Sequence, residues 1–184
     1  QISNEKRGET PVLESDPEES PDDGALLSFG EKPGERKMYL AQGFEEHHIE
    51  ALFRHNYYRS FHPGTKPLKL SMELCQQAQA GADQQAGMNV IGHVTERHEA
   101  GENLYYCHPG FHGNTGPEWT VGGTNCFYEE VNDYFDCLDN NTKIPERKKG
   151  KVWGHYTQVI WKDTFEMGVG FALYTDPAKA GYPL

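Results

Sequence analysis

The sequence predicts an α+β fold, in which helical patterns are followed by strand patterns near the end of the chain. Three observations lead to this prediction. An apolar stripe with helical spacing covers residues 43–59, a second helical segment follows a serine at residue 71, and β-branched and aromatic residues are concentrated after residue 153. At 184 residues the chain is long enough for one domain with a core and appendages. Helices followed by strands are typical of layered α+β domains.

The first 38 residues are predicted to be an acidic extension that is disordered or loosely draped. Residues 1–37 hold ten acidic and five basic residues with several prolines and glycines, and their few apolar residues show no sustained period. The exception is the short run Ala25–Phe29, which is apolar enough to dock on a surface, although a solvating tail is the favoured interpretation. The folded domain is then predicted to span residues 39–184.

Three helices are predicted along this domain. The first covers residues 43–59 and ends at Pro63-Gly64, and its apolar stripe is formed by Phe44, Ile49, Leu52, Phe53 and Tyr57. The second begins near Ser71, a natural N-cap residue, and runs to about residue 85, ahead of a break at Gly87. The third covers about residues 125–135.

Two strands are predicted after the helices, at residues 154–161 and 167–174, joined by a short polar turn into an antiparallel hairpin. In an extended first strand, one face carries His155, Thr157, Val159 and Trp161. A strand that opens with a histidine delivers a titratable group to a cavity, or it is an edge strand whose histidine is solvated.

The composition excludes some classes of partner. The formal charge of -11 argues against nucleic acid and against an anionic membrane surface, and no apolar run approaches the length of a membrane span. The start at Gln1 fits a mature product after removal of a signal peptide, and it fits a fragment equally well. Asn140 begins an N-glycosylation sequon, Asn140-Asn141-Thr142, in a polar loop. These features favour a secreted, extracellular protein.

The four cysteines fit two disulfides in an oxidising compartment, and their spacing does not fit a zinc knuckle. Cys126 and Cys137 are eleven residues apart, so a continuous helix separates them by about 16 Å, which is beyond disulfide reach. Each is therefore expected to pair with a cysteine of another element. The favoured pairs are Cys107–Cys126 and Cys75–Cys137.

Four short motifs in a fixed order resemble the CAP superfamily of cysteine-rich secretory proteins, wasp-venom antigens and plant pathogenesis-related proteins. The motifs are His55–Arg59, Pro67–Leu70, Gly101–Leu104 and Gly154–Trp161. The resemblance covers about residues 39–174 and is closest to the compact, Golgi-associated type of domain. It implies a three-layer α-β-α sandwich, with helices on both faces of a small sheet.

The resemblance also implies a cleft lined by two histidines and two glutamates. The matching positions are His93, Glu102, Glu130 and His155, with His98 as the alternative to His93. Such a set of side chains is able to hold zinc weakly, to pin strand to helix by pairing with itself, or to serve as general acid and base. Weak zinc binding and structural pairing are both favoured over catalysis, because no nucleophile with its base appears at a recognisable spacing.

A second candidate site is the aromatic segment from residue 105 to residue 123, which carries Tyr105, Tyr106, Phe111 and Trp119 among glycine, proline and polar residues. Its rings either contact a flat ligand or fold back onto the core. The resemblance favours a ligand, because some CAP proteins bind sterols through an aromatic loop in the corresponding region.

The sequence thus predicts a secreted CAP protein that binds a sterol or other lipid and is not an enzyme. The first alternative is an extracellular structural protein that assembles with itself or with matrix through its tail and an open sheet edge. Such an edge is expected because the domain lacks the last strand of the family, unless the chain is incomplete. The second alternative is a metal-dependent hydrolase.

Overall fold

The computed structural model describes residues 31–88, 91–93, 100–107, 111–138 and 145–173. Within these ranges the elements are, in order, α1 (Glu35–Ala41), α2 (Glu46–Ser60), β1 (Lys69–Leu70), α3 (Met72–Met88), α4 (Gly116–Glu129), α5 (Val131–Cys137), α6 (Gly154–Val159) and β2 (Glu166–Met167). Helices and a small sheet agree with the predicted α+β class. The three-layer sandwich stays a prediction, since the described residues form a single two-stranded sheet. No helix in these ranges is long and apolar enough to cross a membrane.

Helix α2 is the centre of the fold, because it packs against α1, β1, α4 and α6. A reciprocal cap fixes its start: the Glu45 side chain accepts from the backbone of His48, and the Glu45 amide donates to His48 Nδ1 at 3.0 Å. The apolar stripe then enters the core, which is formed by Tyr39, Phe44, Ile49, Leu52, Phe53, Leu68, Leu70 and Cys75. The predicted first helix is therefore confirmed.

Helix α1 lies partly inside the segment that was predicted to be disordered. It starts at Glu35, and Arg36 forms ion pairs with Glu31, Glu46 and Glu50, so residues 31–38 are anchored to α2. Helix α1 therefore crosses the boundary predicted at residue 38, and Arg36 stabilises it by offering a positive charge to three carboxylates. Residues 1–30, including the run Ala25–Phe29, lie outside the described residues.

The segment 154–161 is helical over Gly154–Val159, so the strand predicted there is wrong. Short apolar runs fit a helix or a strand equally well, and tertiary contacts decide between them. Here the buried side chains are Tyr156 and Val159, which are three residues apart and share one face of a helix. The predicted common face of His155, Thr157, Val159 and Trp161 does not exist.

The predicted antiparallel hairpin is also wrong, because β2 pairs in parallel with β1. The register is Lys69 opposite Glu166 and Leu70 opposite Met167. After β2 the chain packs along helix α3, and it does not pair with residues 154–161 as the hairpin would require. A Cβ on Gly168 would lie 2.1 Å from the carbonyl carbon of Leu74, and one on Gly170 would lie 2.3 Å from the amide nitrogen of Gln79. The two glycines therefore let the backbone after β2 contact the backbone of α3, which a residue with a Cβ atom would prevent.

The third predicted helix is in fact two helices. Thr115 and Glu118 form a capping box that begins α4 nine residues earlier than the predicted start near residue 125, and Pro117 occupies the first turn. The helical path is interrupted at Glu130, after which α5 continues to Cys137. The second predicted helix is confirmed as α3, whose first turn is capped by Ser71.

Arg59 holds the loop after α6 against the end of α2. Its side chain is buried, and it donates to four backbone carbonyls, which belong to Lys66, Val159, Trp161 and Thr164 at 2.8–3.0 Å. Its guanidinium thus provides hydrogen-bond donors for carbonyls that are not paired in a sheet, although burying its charge is unfavourable. Burial lowers the pKa of Arg59 from its usual value.

Candidate functional site

Glu130 and His155 form the first pair of predicted site residues. Glu130 Oε1 accepts from His155 Nδ1 at 2.6 Å, and Oε2 accepts from the backbone amides of His155 at 2.9 Å and Tyr156 at 3.3 Å. The carboxylate thus binds the first free amides of α6, which is a favourable place for a negative charge. Glu130 lies between α4 and α5, so this contact joins three helices.

His93 and Glu102 form the second pair, with Nδ1 of His93 at 2.7 Å from Glu102 Oε2. The His93 side chain is 55% exposed and that of Glu102 is 19% exposed, so this pair lies at the surface. The next residue, Asn103, donates from Nδ2 to the His155 carbonyl at 3.0 Å. Segment 100–107 is therefore tied to α6 beside the first pair.

The described residues do not form a ready-made metal site, since no three or more histidine, cysteine, aspartate or glutamate side chains among them are grouped to hold an ion. Zinc needs at least three protein ligands in most sites. The predicted residues instead occur as two His–Glu pairs, which fits the structural pairing that the sequence left open. His98, the alternative to His93, lies outside the described residues. The zinc site stays a prediction.

The aromatic segment divides into exposed and packed rings. Phe111 is 68% exposed and Tyr106 is 40% exposed. The Tyr105 hydroxyl lies 2.7 Å from His112 Nε2, and Trp119 donates from its ring nitrogen to the Gly113 carbonyl at 3.0 Å. Both predicted arrangements of the rings therefore occur. Phe111 and Tyr106 are exposed, whereas Tyr105 and Trp119 form hydrogen bonds that stabilise the segment.

Trp119 is fixed on both sides. Its ring centroid lies 5.7 Å from that of Phe171, in the stretch that runs along α3. Phe171 in turn exchanges two hydrogen bonds with the Gln79 side chain, at 2.9 and 3.2 Å. This arrangement attaches the start of α4 to the end of the described chain, which makes Trp119 a structural residue.

The sequence matches the family model described as CAP, the cysteine-rich secretory protein family, over residues 52–180. It is 34% identical over 134 residues to the human Golgi-associated plant pathogenesis-related protein 1, with 72% of this chain and 77% of that protein covered. The chain belongs to the CAP family. It is also 29% identical to venom allergen 5 of Microctonus hyperodae and 32% identical to allurin of Xenopus tropicalis, where it spans 45% and 53% of those proteins.

The four cysteines of this CAP domain carry free thiols in this structure, so neither predicted disulfide is present in it. Cys75 is buried in the α2–α3 core, whereas Cys137 is buried at the end of α5, where its sulfur accepts from the Lys148 amide at 3.5 Å. Their surroundings differ, which gives no support to a Cys75–Cys137 bridge. The predicted glycosylation site, Asn140, lies outside the described residues.

His112 is a chemically significant residue that the sequence did not single out. Its ring contacts the Tyr105 hydroxyl and lies 3.5 Å from the Cys126 sulfur. A Cβ on Gly122 would lie 2.3 Å from the His112 ring, so that glycine provides the space for the imidazole. A histidine in a glycine-rich loop has no periodicity that would reveal such a contact, and the only sequence signal was the cluster of aromatic residues around it.

An aromatic network behind the first His–Glu pair was also missed. The rings of Tyr58 and Tyr128 are stacked at 3.9 Å, and His62 Nε2 lies 2.9 Å from the Tyr128 hydroxyl. Burial and the nearby Tyr128 and Tyr134 raise the pKa of Tyr156 to about 12. Burial lowers the pKa of His62. The network therefore remains neutral at physiological pH and joins α2, α4 and α6.

Proposed function

We propose that this chain is a secreted, non-enzymatic CAP-family protein that binds a sterol or other lipid through the exposed rings of its aromatic segment. The observation that carries the proposal is the exposure of Phe111 and Tyr106, at 68% and 40%, on a segment that Tyr105 and Trp119 hold in place. Rings that are exposed on an anchored backbone bind an apolar ligand without a large ordering cost.

The His–Glu pairs are a poor surface for such a ligand. Glu130 already binds His155 and two backbone amides, and Glu102 binds His93. A sterol placed there would remove charged groups from water and offer no hydrogen bonds in return. Each ring that a ligand covers contributes about 1.5–3 kcal/mol, so the exposed rings favour the aromatic segment.

The test is a competition assay with radiolabelled sterol on folded variants. Replacing both Phe111 and Tyr106 by serine is expected to weaken binding by about tenfold or more, because tenfold requires only about 1.4 kcal/mol. Phe135→Ser is the matched control, since Phe135 is 60% exposed on α5, outside the aromatic segment. His155→Ala is expected to leave binding nearly unchanged. Circular dichroism checks that each variant is folded.

Three results would reject the lipid proposal, and two of them concern the variants. The first is equal loss of binding in Phe135→Ser, which would mean that any exposed ring adsorbs sterol. The second is loss in His155→Ala with the double serine variant unaffected, which would move the ligand to the His–Glu pairs. Absence of binding by the wild-type protein would favour the structural alternative.

Self-assembly is the second candidate function, favoured by the small size of the sheet. Within the described residues β1 and β2 pair only with each other, so each strand has an outer edge that no third strand covers. Such edges accept strands from another chain. Native mass spectrometry separates the two candidates, because it shows the oligomeric state together with any bound lipid, glycan or metal.

A further inference from the structure

Two of the four cysteines lie where the aromatic segment packs on helix α4: Cys107 belongs to the segment and Cys126 to the helix. The Tyr105 ring lies on α4: a Cβ on Gly123 would be 3.2 Å from it, and the Phe127 ring is at 6.3 Å. Cys126 belongs to the same face of α4, since residues three and four apart share a face. Cys107 is two residues after Tyr105 in an irregular stretch, so it lies close to the contact between Tyr105 and α4. Burial raises the pKa of Cys107, and the nearby Cys126 raises it further.

A base adjoins one of the two sulfurs. His112 Nε2 lies 2.7 Å from the Tyr105 hydroxyl and 3.5 Å from Cys126 Sγ. The Tyr105 hydroxyl also bonds to Cys126 and can rotate toward the sulfur, which leaves Nε2 free for the thiol proton. An imidazole that accepts the proton, with a hydroxyl that donates to the thiolate, is a combination that activates cysteine.

The other two thiols lack this environment. Cys75 and Cys137 are only 2% and 3% exposed, whereas Cys107 and Cys126 are both partly exposed. The sulfur of Cys137 accepts a hydrogen bond from a backbone amide, and Cys75 packs in the apolar core. Buried thiols of this kind are unreactive, so the chain contains its own comparison for the exposed pair.

We propose that Cys107 and Cys126 form a reversible redox pair that reacts with small disulfides such as oxidised glutathione, with His112 as the proton acceptor of Cys126. The Cys126 thiolate attacks one glutathione sulfur and releases a glutathione thiolate, which takes the proton held by His112. The Cys107 thiol then loses its proton to water and attacks the Cys126 sulfur. The Cys107–Cys126 bond forms, the bond from Cys126 to glutathione breaks, and the second glutathione leaves as a thiolate that takes up a proton from water. Two protein thiols are oxidised and one small disulfide is reduced to two thiols.

The experiment treats the full, reduced chain with oxidised glutathione, stops the reaction with an alkylating agent, and maps the peptides by mass spectrometry. The expected product is a Cys107–Cys126 peptide, with Cys75 and Cys137 alkylated, and excess reduced glutathione should open the bond again. Cys107→Ser should stop at a glutathione adduct on Cys126. His112→Gln should slow the first step by about tenfold or more, because it removes the base.

Each contrary outcome overturns part or all of the proposal. A crosslink that contains Cys75 or Cys137 rejects the pair. A glutathione adduct that forms on Cys107 in Cys126→Ser as fast as on Cys126 in Cys107→Ser rejects Cys126 as the attacking thiol. An unchanged rate in folded His112→Gln rejects the imidazole as proton acceptor, and a bond that reduced glutathione does not open rejects reversibility. None of these readouts depends on lipid binding.

Discussion

The carboxylate of Glu130 binds both the imidazole of His155, at 2.6 Å, and the backbone amide of the same residue, at 2.9 Å. One side chain therefore fixes the position of the signature histidine and also caps the helix that carries it. The same contact favours the helix at Gly154–Val159, together with the burial of Tyr156 and Val159. We regard the pair as a structural element of the fold, and it leads to the first prediction.

Glu130→Ala should lower the free energy of unfolding by about 2–3 kcal/mol, because three donors lose their acceptor and a helix loses its cap. Glu129→Ala is the control, since Glu129 is the exposed neighbour one residue earlier. Urea unfolding followed by circular dichroism measures both. Equal stability of the two variants would show that the Glu130 contacts are not important for the fold.

Arg59→Lys should destabilise the protein by about 2–4 kcal/mol although the charge is kept. Lysine has one nitrogen with three donors, and it cannot reach the four carbonyls that the guanidinium binds with three nitrogens. Arg147→Lys, at an exposed position where the guanidinium contacts only the Trp153 ring among the described contacts, should change stability by less than about 1 kcal/mol. Chemical denaturation measures the free energy of unfolding of both variants. A loss in Arg59→Lys as small as that in Arg147→Lys would mean that water replaces the missing donors.

Gly168→Ala and Gly170→Ala should each destabilise the protein by several kcal/mol or prevent folding. The new methyl group would lie 2.1–2.3 Å from the backbone of α3, and backbone cannot rotate out of the way as the end of a flexible side chain does. Gly87→Ala is the matched control, because nothing lies within 4 Å of its Cβ and alanine is the better helix former. Thermal unfolding should show a loss for the first two and a small gain for the third.

These results indicate how much the sequence could predict. The stripe around Ile49 and Leu52 and the cap at Ser71 identified α2 and α3, since long periodic patterns with caps depend mainly on local interactions. The helix at Gly154–Val159 and the parallel pairing of β1 with β2 depend on contacts with distant residues. The four residues of the two His–Glu pairs were named from the sequence motifs as one cleft, and which histidine contacts which glutamate depends on distances that the sequence does not contain.

Four histidines that are buried or half-buried should make the protein sensitive to acid. Burial lowers the pKa of His47, His48 and His62, and it lowers that of His55 to about 4. Unfolded histidines keep a pKa of about 6.5, so between these values the unfolded state binds more protons than the folded state. The stability is therefore complete above about pH 6.5 and is lost as the pH falls toward 4.

Urea unfolding at a series of pH values from 7.5 to 4.5 measures this loss. His55→Gln, if it folds, should show a smaller decrease over the range, because one titrating group is absent. Gln76→Ala is the control, since Gln76 is exposed on α3 and its side chain carries no titratable group. A free energy of unfolding that stays constant from pH 6.5 to 4.5 in the wild-type protein would contradict the prediction.

The most direct test of the proposed lipid binding is to label the protein with a photoactivatable sterol and to map the labelled peptides. The account predicts that the label is found on the aromatic segment, at or beside Tyr106 and Phe111, and that unlabelled sterol in excess removes it. Label concentrated on residues 154–161 or 91–93, or label that excess sterol does not displace, would contradict it.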